Sequence, residues 1–263
     1  MLRTAAIGGV ICALALLAQA AAYGGERDAN AAALRASQAA IGRVLGDHQF
    51  TDQDGLPLRM AELRGRPLLL SLVYTHCYYI CSGLTIRLRD AVRIAEETLG
   101  PGSFAVLTVG FDTRHDTPAQ MRIYARERGI SEPEWHFATA DAATIRRLAD
   151  EVGFTWAAVP GGFDHVTQVT IVDADGRVVE QVYGQDFPTP ALIEPLKQLV
   201  WGRASNRTGV QGLLGRVQLL CTVYDPVAGR YRVDYSMLVG FFPGLMVLCM
   251  VAVAILALAR KPR

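Results

Sequence analysis

Apolar residues are distributed along this chain in three different ways. At both ends they run on with little interruption, and between the ends they alternate or recur with polar residues at regular periods. Near the N-terminus, Arg3 precedes a mostly apolar stretch over residues 5–18, and Ala18-Gln19-Ala20 has the small-x-small form of a signal cleavage site. The stretch is short for a membrane span, so residues 1–22 are expected to be a cleaved secretory signal rather than a retained anchor. At the other end, residues 237–259 carry no charge and are followed by Arg260-Lys261-Pro262-Arg263. As a helix that run would be about 34 Å long, enough to cross a bilayer core. Pro243 and Gly244 near its start are tolerable in a membrane helix. The basic tail at 260–263 assigns this end to the cytoplasm. The preceding domain is then on the outer side, as an export signal also requires. In a bacterium this is a single-pass protein of the inner membrane with its globular part in the periplasm.

Between the ends, the pattern predicts alternating strands and helices. Residues 23–39 form a polar, alanine-rich lead. Asp54-Gly55 between short strand-like flanks marks a hairpin, and Arg64-Gly65-Arg66-Pro67 marks a second turn. Residues 68–74 are continuously apolar, as in a strand buried on both faces. Leu84, Leu88, Val92 and Ala95 recur at helical spacing within 81–99, and Gly100-Pro101-Gly102 ends that helix. A second buried strand is expected over 104–111. A helix capped by Thr117 with Pro118 in its first turn follows over 117–128. A short strand over 135–138, a helix over 141–152 capped by Asp141, and strands over 166–172 and 178–183 complete the pattern. The last two strands are joined by the hairpin signal Asp173-Ala174-Asp175-Gly176. Strands alternating with helices imply a partly parallel sheet covered on both faces, and the closing hairpin adds an antiparallel edge. The expectation is an α/β domain over 40–199 with a thioredoxin-like fold, a central mixed sheet flanked by helices. A linker over 200–236 and one C-terminal transmembrane helix follow it.

Composition narrows the function. The chain has 263 residues and a net charge of +1, with no basic run that suggests a nucleic-acid groove, so neither such a groove nor a general pull toward polyanions is expected. Export matters more, because thiols outside the cytoplasm tend to be oxidised. A close cysteine pair there is a disulfide, a redox couple or a metal site.

That pair is Cys77-Tyr78-Tyr79-Ile80-Cys81, at the start of the predicted helix. Residues four apart on a helix share a face, and the helix N-terminus favours thiolate. Thiolates suit Cu(I) and also Zn. Two thiolates leave a Cu(II) or Zn site incomplete, so a third ligand is expected. His165 is the candidate, because it lies in Gly161-Gly162-Phe163-Asp164-His165, a loop that in thioredoxin-like folds lies beside the cysteine turn. The bland alternative is a loop histidine bonded to Asp164. His76 reads as a strand-end residue, and His48, His115 and His136 read as surface or packing residues. A structural disulfide between Cys77 and Cys81 would close too small a loop to stabilise the fold much. A redox pair usually has two intervening residues rather than three. Cys12 in the signal has no assigned role. Cys221 reads as a lone thiol before the membrane, and Cys249 as a small apolar residue within the span.

Four segments in order carry a family resemblance. They are Phe50-Thr51-Asp52-Gln53-Asp54-Gly55, Tyr74-Thr75-His76-Cys77-Tyr78-Tyr79-Ile80-Cys81, Phe111-Asp112-Thr113-Arg114-His115-Asp116-Thr117-Pro118, and Asp164-His165 leading into Ile171-Val172-Asp173-Ala174-Asp175-Gly176. Over about residues 50–199 the sequence resembles the Sco/SenC proteins, thioredoxin-fold copper chaperones of cytochrome c oxidase. The resemblance implies that Cys77, Cys81 and His165 bind copper in both oxidation states. It implies a metallochaperone rather than a turnover enzyme. The partner would be the oxidase subunit carrying the dinuclear copper site, which receives copper or has its cysteines reduced. Other copper chaperones or thioredoxin-like reductants would be further partners. Asp112 and Asp116 match the family's acidic loop, implying partner contact or local electrostatics. One departure is clear: the family has a proline after each cysteine, where this chain has Tyr78 and Ser82. Another is the anchor, usually N-terminal in the family. A thiol:disulfide oxidoreductase with exported clients is the alternative function, and a thiol peroxidase lacks its proline-threonine-cysteine pattern here.

Overall fold

The computed structural model describes residues 30–77, 80–205, 222–225, 228, 230–233, 246–248 and 250–251. The expected signal segment and the side chains of Tyr78 and Cys81 lie outside them, as does Cys221. Most of the expected membrane span also lies outside; residues 246–248 and 250–251 within it are helical and exposed. Among the described residues no helix is long and apolar enough to cross a membrane.

A seven-stranded mixed sheet organises the domain, in the order β2-β1-β5-β4-β3-β8-β9. Its strands are β1 (Gln49–Asp52), β2 (Pro57–Arg59), β3 (Leu68–Val73), β4 (Ala105–Gly110), β5 (Trp135–Thr139), β8 (Gln168–Val172) and β9 (Val178–Tyr183). A separate two-stranded ribbon holds β6 (Trp156–Val159) and β7 (Gly162–His165). β3, β4 and β5 are mutually parallel, and β8 lies antiparallel to β3 in the register Leu68↔Val172 to Ser71↔Val169. Every residue of β3, β4 and β8 is buried, as continuous apolar runs between two covered faces require. Two polar exceptions in this layer satisfy each other: Ser71 and Thr108 share a hydrogen bond of 3.0 Å, and Trp135 Nε1 donates to Thr108 Oγ1.

The crossover helices start where their caps place them. α2 (Ile80–Leu99) follows β3. α3 (Pro118–Glu127) opens with Thr117 accepting from the Gln120 amide. α4 (Ala142–Val152) opens with Asp141 accepting from Ala143 and Thr144. Gly153 ends α4 in the left-handed region at φ 66°, and a Cβ there would lie 2.3 Å from the Ala36 carbonyl oxygen. Glycine is thus required twice over, by torsion and by close approach. The element approaching it is α1, helical over residues 30–38. It is tied down where the Tyr183 hydroxyl donates to Ser37 Oγ.

The central-sheet arrangement is the thioredoxin-like one expected, with three additions that the apolar pattern did not announce. The segment read as a loop before His165 is the β6–β7 hairpin, paired from Trp156↔His165 to Val159↔Gly162. Its first strand is mostly exposed, so little hydrophobic periodicity marks it. α5 (Thr189–Ser205) packs on α2 despite an internal Pro195. The segment read as linker contains a hairpin of β10 (Thr222–Asp225) and β11 (Arg230–Val233). Lys197 on α5 is buried beneath that hairpin and donates to the Thr222 carbonyl.

Candidate metal centre

The cysteine turn is built at the end of β3. Tyr74 follows the strand, and the Cys77 amide closes a turn by donating to the Tyr74 carbonyl at 3.1 Å. The turn is held from below by one carboxylate. Asp116 Oδ1 accepts from both the amide and the hydroxyl of Thr75 at 2.8 Å, and Oδ2 accepts from the Asp112 amide at 2.8 Å. Asp116 is only 2 % exposed. Burial pushes its carboxyl up from the ordinary 3.8, and the hydrogen bonds from Thr75 and Asp112 pull it back. Asp116 is therefore turned inward, onto the cysteine turn. Sequence reading placed it in an acidic loop without this role, because a charged residue after a strand ordinarily signals solvent.

A second brace comes from α2 and α3. The Ser82 hydroxyl donates to the Cys77 carbonyl at 3.2 Å and accepts from Arg128 Nη2 at 2.5 Å. Arg128 is buried, donates also to the Tyr124 carbonyl, and lies over the Tyr124 ring at 3.3 Å. Among the described residues its Nε has no hydrogen-bond partner. The serine that replaces a family proline is thus the link between a buried guanidinium and the cysteine turn.

Cys77 is buried, 7 % exposed. His165, the last residue of β7, is half-buried among aromatic rings. Its centroid lies 5.3 Å from Phe154, 5.5 Å from Phe111 and 6.0 Å from Tyr74. Burial lowers its proton affinity below the ordinary 6.5. The Val166 carbonyl and the negative charges of Cys77 and Asp164 act in the other direction. The imidazole is accordingly neutral at neutral pH. Nδ1 lies 3.2 Å from the Val166 carbonyl, which can only accept, so Nδ1 carries the proton and Nε2 holds the lone pair a metal needs. The ring thus has the Val166 carbonyl as one partner, and Asp164 acts on it through its charge. Cys77 is near enough for its charge to act on the His165 ring. Cys81 is the second residue of α2, and its side chain is outside the described residues. Among the described residues no group of three His, Cys, Asp or Glu side chains could hold a metal ion.

The other histidines lie elsewhere. His48 is buried against Glu151 at 2.7 Å, and His136 is half-buried on β5. His76 is exposed and pairs with His115 across 5.1 Å. Both line a groove of about 560 Å³ whose aromatic wall is Tyr74, Phe111, Trp156 and Phe163. Glycine at 162 allows this wall to close, because a Cβ there would lie 2.7 Å from the Tyr74 hydroxyl.

Comparison with known proteins decides the kinship. The SCO1/SenC family model matches residues 36–200, well over half of the chain. The chain belongs to the SCO1/SenC family. It is 24 % identical over 154 residues to the SCO1 protein homolog of Bacillus subtilis, covering 56 % of this chain and 78 % of that one. The solved structure of Bradyrhizobium japonicum ScoI with copper bound is 26 % identical, with a TM-score of 0.51, covering 60 % of this chain and 99 % of that chain. A structure described as a disulfide switch in a member of the Sco family of cytochrome c oxidase assembly proteins is 21 % identical. Its TM-score is 0.54, and it covers 60 % of this chain and 94 % of that chain. The shared region of this SCO1/SenC protein is its thioredoxin-like sheet and cysteine turn. The β10–β11 hairpin lies beyond the matched residues.

Proposed function

We propose that this SCO1/SenC protein is a membrane-anchored copper-binding assembly factor. In this reading Cys77, Cys81 and His165 hold one copper ion outside the cytoplasm and pass it to the dinuclear copper site of cytochrome c oxidase. The observation that supports the reading is a buried Cys77 whose charge reaches His165, a neutral imidazole set among aromatic rings. Thiolate sulfur and imidazole nitrogen are a donor set that serves Cu(I) and Cu(II) alike. A helix start carries positive potential, which favours thiolate at the pair. Family membership supports the same cargo, since a relative is known with copper bound. The anchor is the apolar run 237–259, and the signal at 1–22 brings the domain to the outer side.

A second reading uses the same pair as a dithiol that reduces the client's cysteines. It is favoured by the helix-start position of Cys81, where a thiolate is most easily formed. The two readings differ in their need for His165. A deletion strain should lose oxidase activity and recover it with added copper. Complementation with His165→Ala should fail as completely as with Cys77→Ser. Full rescue by His165→Ala, with no rescue by Cys77→Ser, would establish the reductase instead.

A further inference from the structure

His76 and His115 stand together outside the cysteine centre. Their rings are 5.1 Å apart between centroids and inclined at 69°. Two imidazoles bound to one ion have metal–nitrogen distances of about 2.0–2.1 Å. At angles between square and tetrahedral this puts their ring centres about 4.5–5.2 Å apart. The pair already has this separation.

The protonation pattern also fits. His115 Nδ1 lies 2.6 Å from Asp112 Oδ2, a carboxylate that only accepts, so Nδ1 carries the proton. A neutral ring with that proton keeps its lone pair on Nε2. This is the carboxylate–histidine arrangement that orients metal ligands and raises their basicity. At His76, Nδ1 lies 3.4 Å from Thr75 Oγ1, a long contact. The Thr75 hydroxyl already gives its proton to Asp116. It can therefore only accept from His76, which again leaves Nε2 as the lone-pair nitrogen. The Thr75 hydroxyl, held by Asp116, and the Asp112 carboxylate thus favour the tautomers that ligation needs.

We propose that His76 and His115 form a second copper site, an open two-imidazole site for Cu(II) on the rim of the groove beside the cysteine turn. Water or an incoming partner supplies the remaining ligands, and imidazole is a good donor for Cu(II). Arg114 and Arg146 line the same groove and oppose a dication, so the site is weaker than the cysteine centre. Its position one residue from Cys77 makes it a loading station for that centre. This role rests on the copper-chaperone reading, but the binding itself does not.

The test uses the full chain in detergent micelles, carrying Cys77→Ser and Cys81→Ser so that the first centre is absent. Titration with Cu(II) should show one ion bound, with nitrogen hyperfine structure in the EPR spectrum. His76→Gln or His115→Gln added to that background should weaken binding at least tenfold. Asp112→Asn should weaken it by about tenfold. His165→Ala should leave it unchanged. No bound Cu(II) in the cysteine-free protein would overturn the proposal. So would binding that survives both His→Gln changes, which is an adventitious ion only, or binding abolished by His165→Ala, which is residual use of the first centre. Failure of the copper-chaperone reading appears separately, as loss of the oxidase requirement for His165 in cells.

Discussion

A single buried carboxylate sets the shape of the cysteine turn. Asp116 accepts from the Thr75 amide, the Thr75 hydroxyl and the Asp112 amide, joining the end of β3 to the loop before α3. Asp116→Ala leaves these donors without an acceptor in a buried place. Orphaned groups of this kind cost about 1–3 kcal/mol each, partly relieved by entering water. The expected loss is about 2–4 kcal/mol in urea unfolding, accompanied by weaker copper binding because the turn is released. His165 makes the pH-dependent contribution. Burial lowers its pKa from 6.5, so below pH 6.5 the unfolded chain takes up the proton first. Its contribution to stability is complete above pH 6.5 and is lost as the pH falls through the depressed native value. In the metal-free protein, the His165 ring protons should titrate with a midpoint below 6.5. His165→Gln should flatten the pH dependence of stability in that window. A midpoint at or above 6.5 would mean that the ring is not buried as described.

At the scale of elements, the cysteine turn depends on how α2 begins. Ser82 is the third residue of α2, and a first-turn amide has no partner within the helix. Proline is tolerated there, so Ser82→Pro, which restores the family's residue, should leave the helix intact by circular dichroism. It removes the hydroxyl that Arg128 donates to, while Arg128 Nε already lacks a hydrogen-bond partner among the described residues. The predicted outcome is a loss of about 1–3 kcal/mol, recovered when Arg128→Met is added. An undiminished stability in the single variant would show that the Ser82–Arg128 link is dispensable. Sequence patterning exposed the elements with strong periods or caps: β3 and β4 as unbroken apolar runs, α3 by Thr117-Pro118, α4 by Asp141. It passed over β6 and β7, two four-residue strands, the first mostly exposed and the second mostly half-buried, that carry no alternation. It also gave no sign of α5, because Pro195 and a weakly amphipathic surface hide a helix that packs on both α2 and the sheet.

Over the whole molecule, the site was legible as chemistry before it was legible as geometry. Cys77, Cys81 and His165 stood out by residue type, spacing and place in the strand order. The supporting residues did not. Asp116 and Arg128 are charged residues that ordinarily read as surface, and only the tertiary packing makes them buried braces. The aromatic surround of His165 draws on β3, β4, α4 and the β6–β7 hairpin together, so no local pattern could contain it. The central claim is that thiolate and imidazole act on one ion, and copper titration of the full chain in micelles tests it most directly. The native protein should bind Cu(II) with a sulfur-to-copper charge-transfer band. His165→Ala should lower that affinity at least tenfold and shift the band, and Cys77→Ser should abolish it. Equal affinity and an identical spectrum for native protein and His165→Ala would contradict the account.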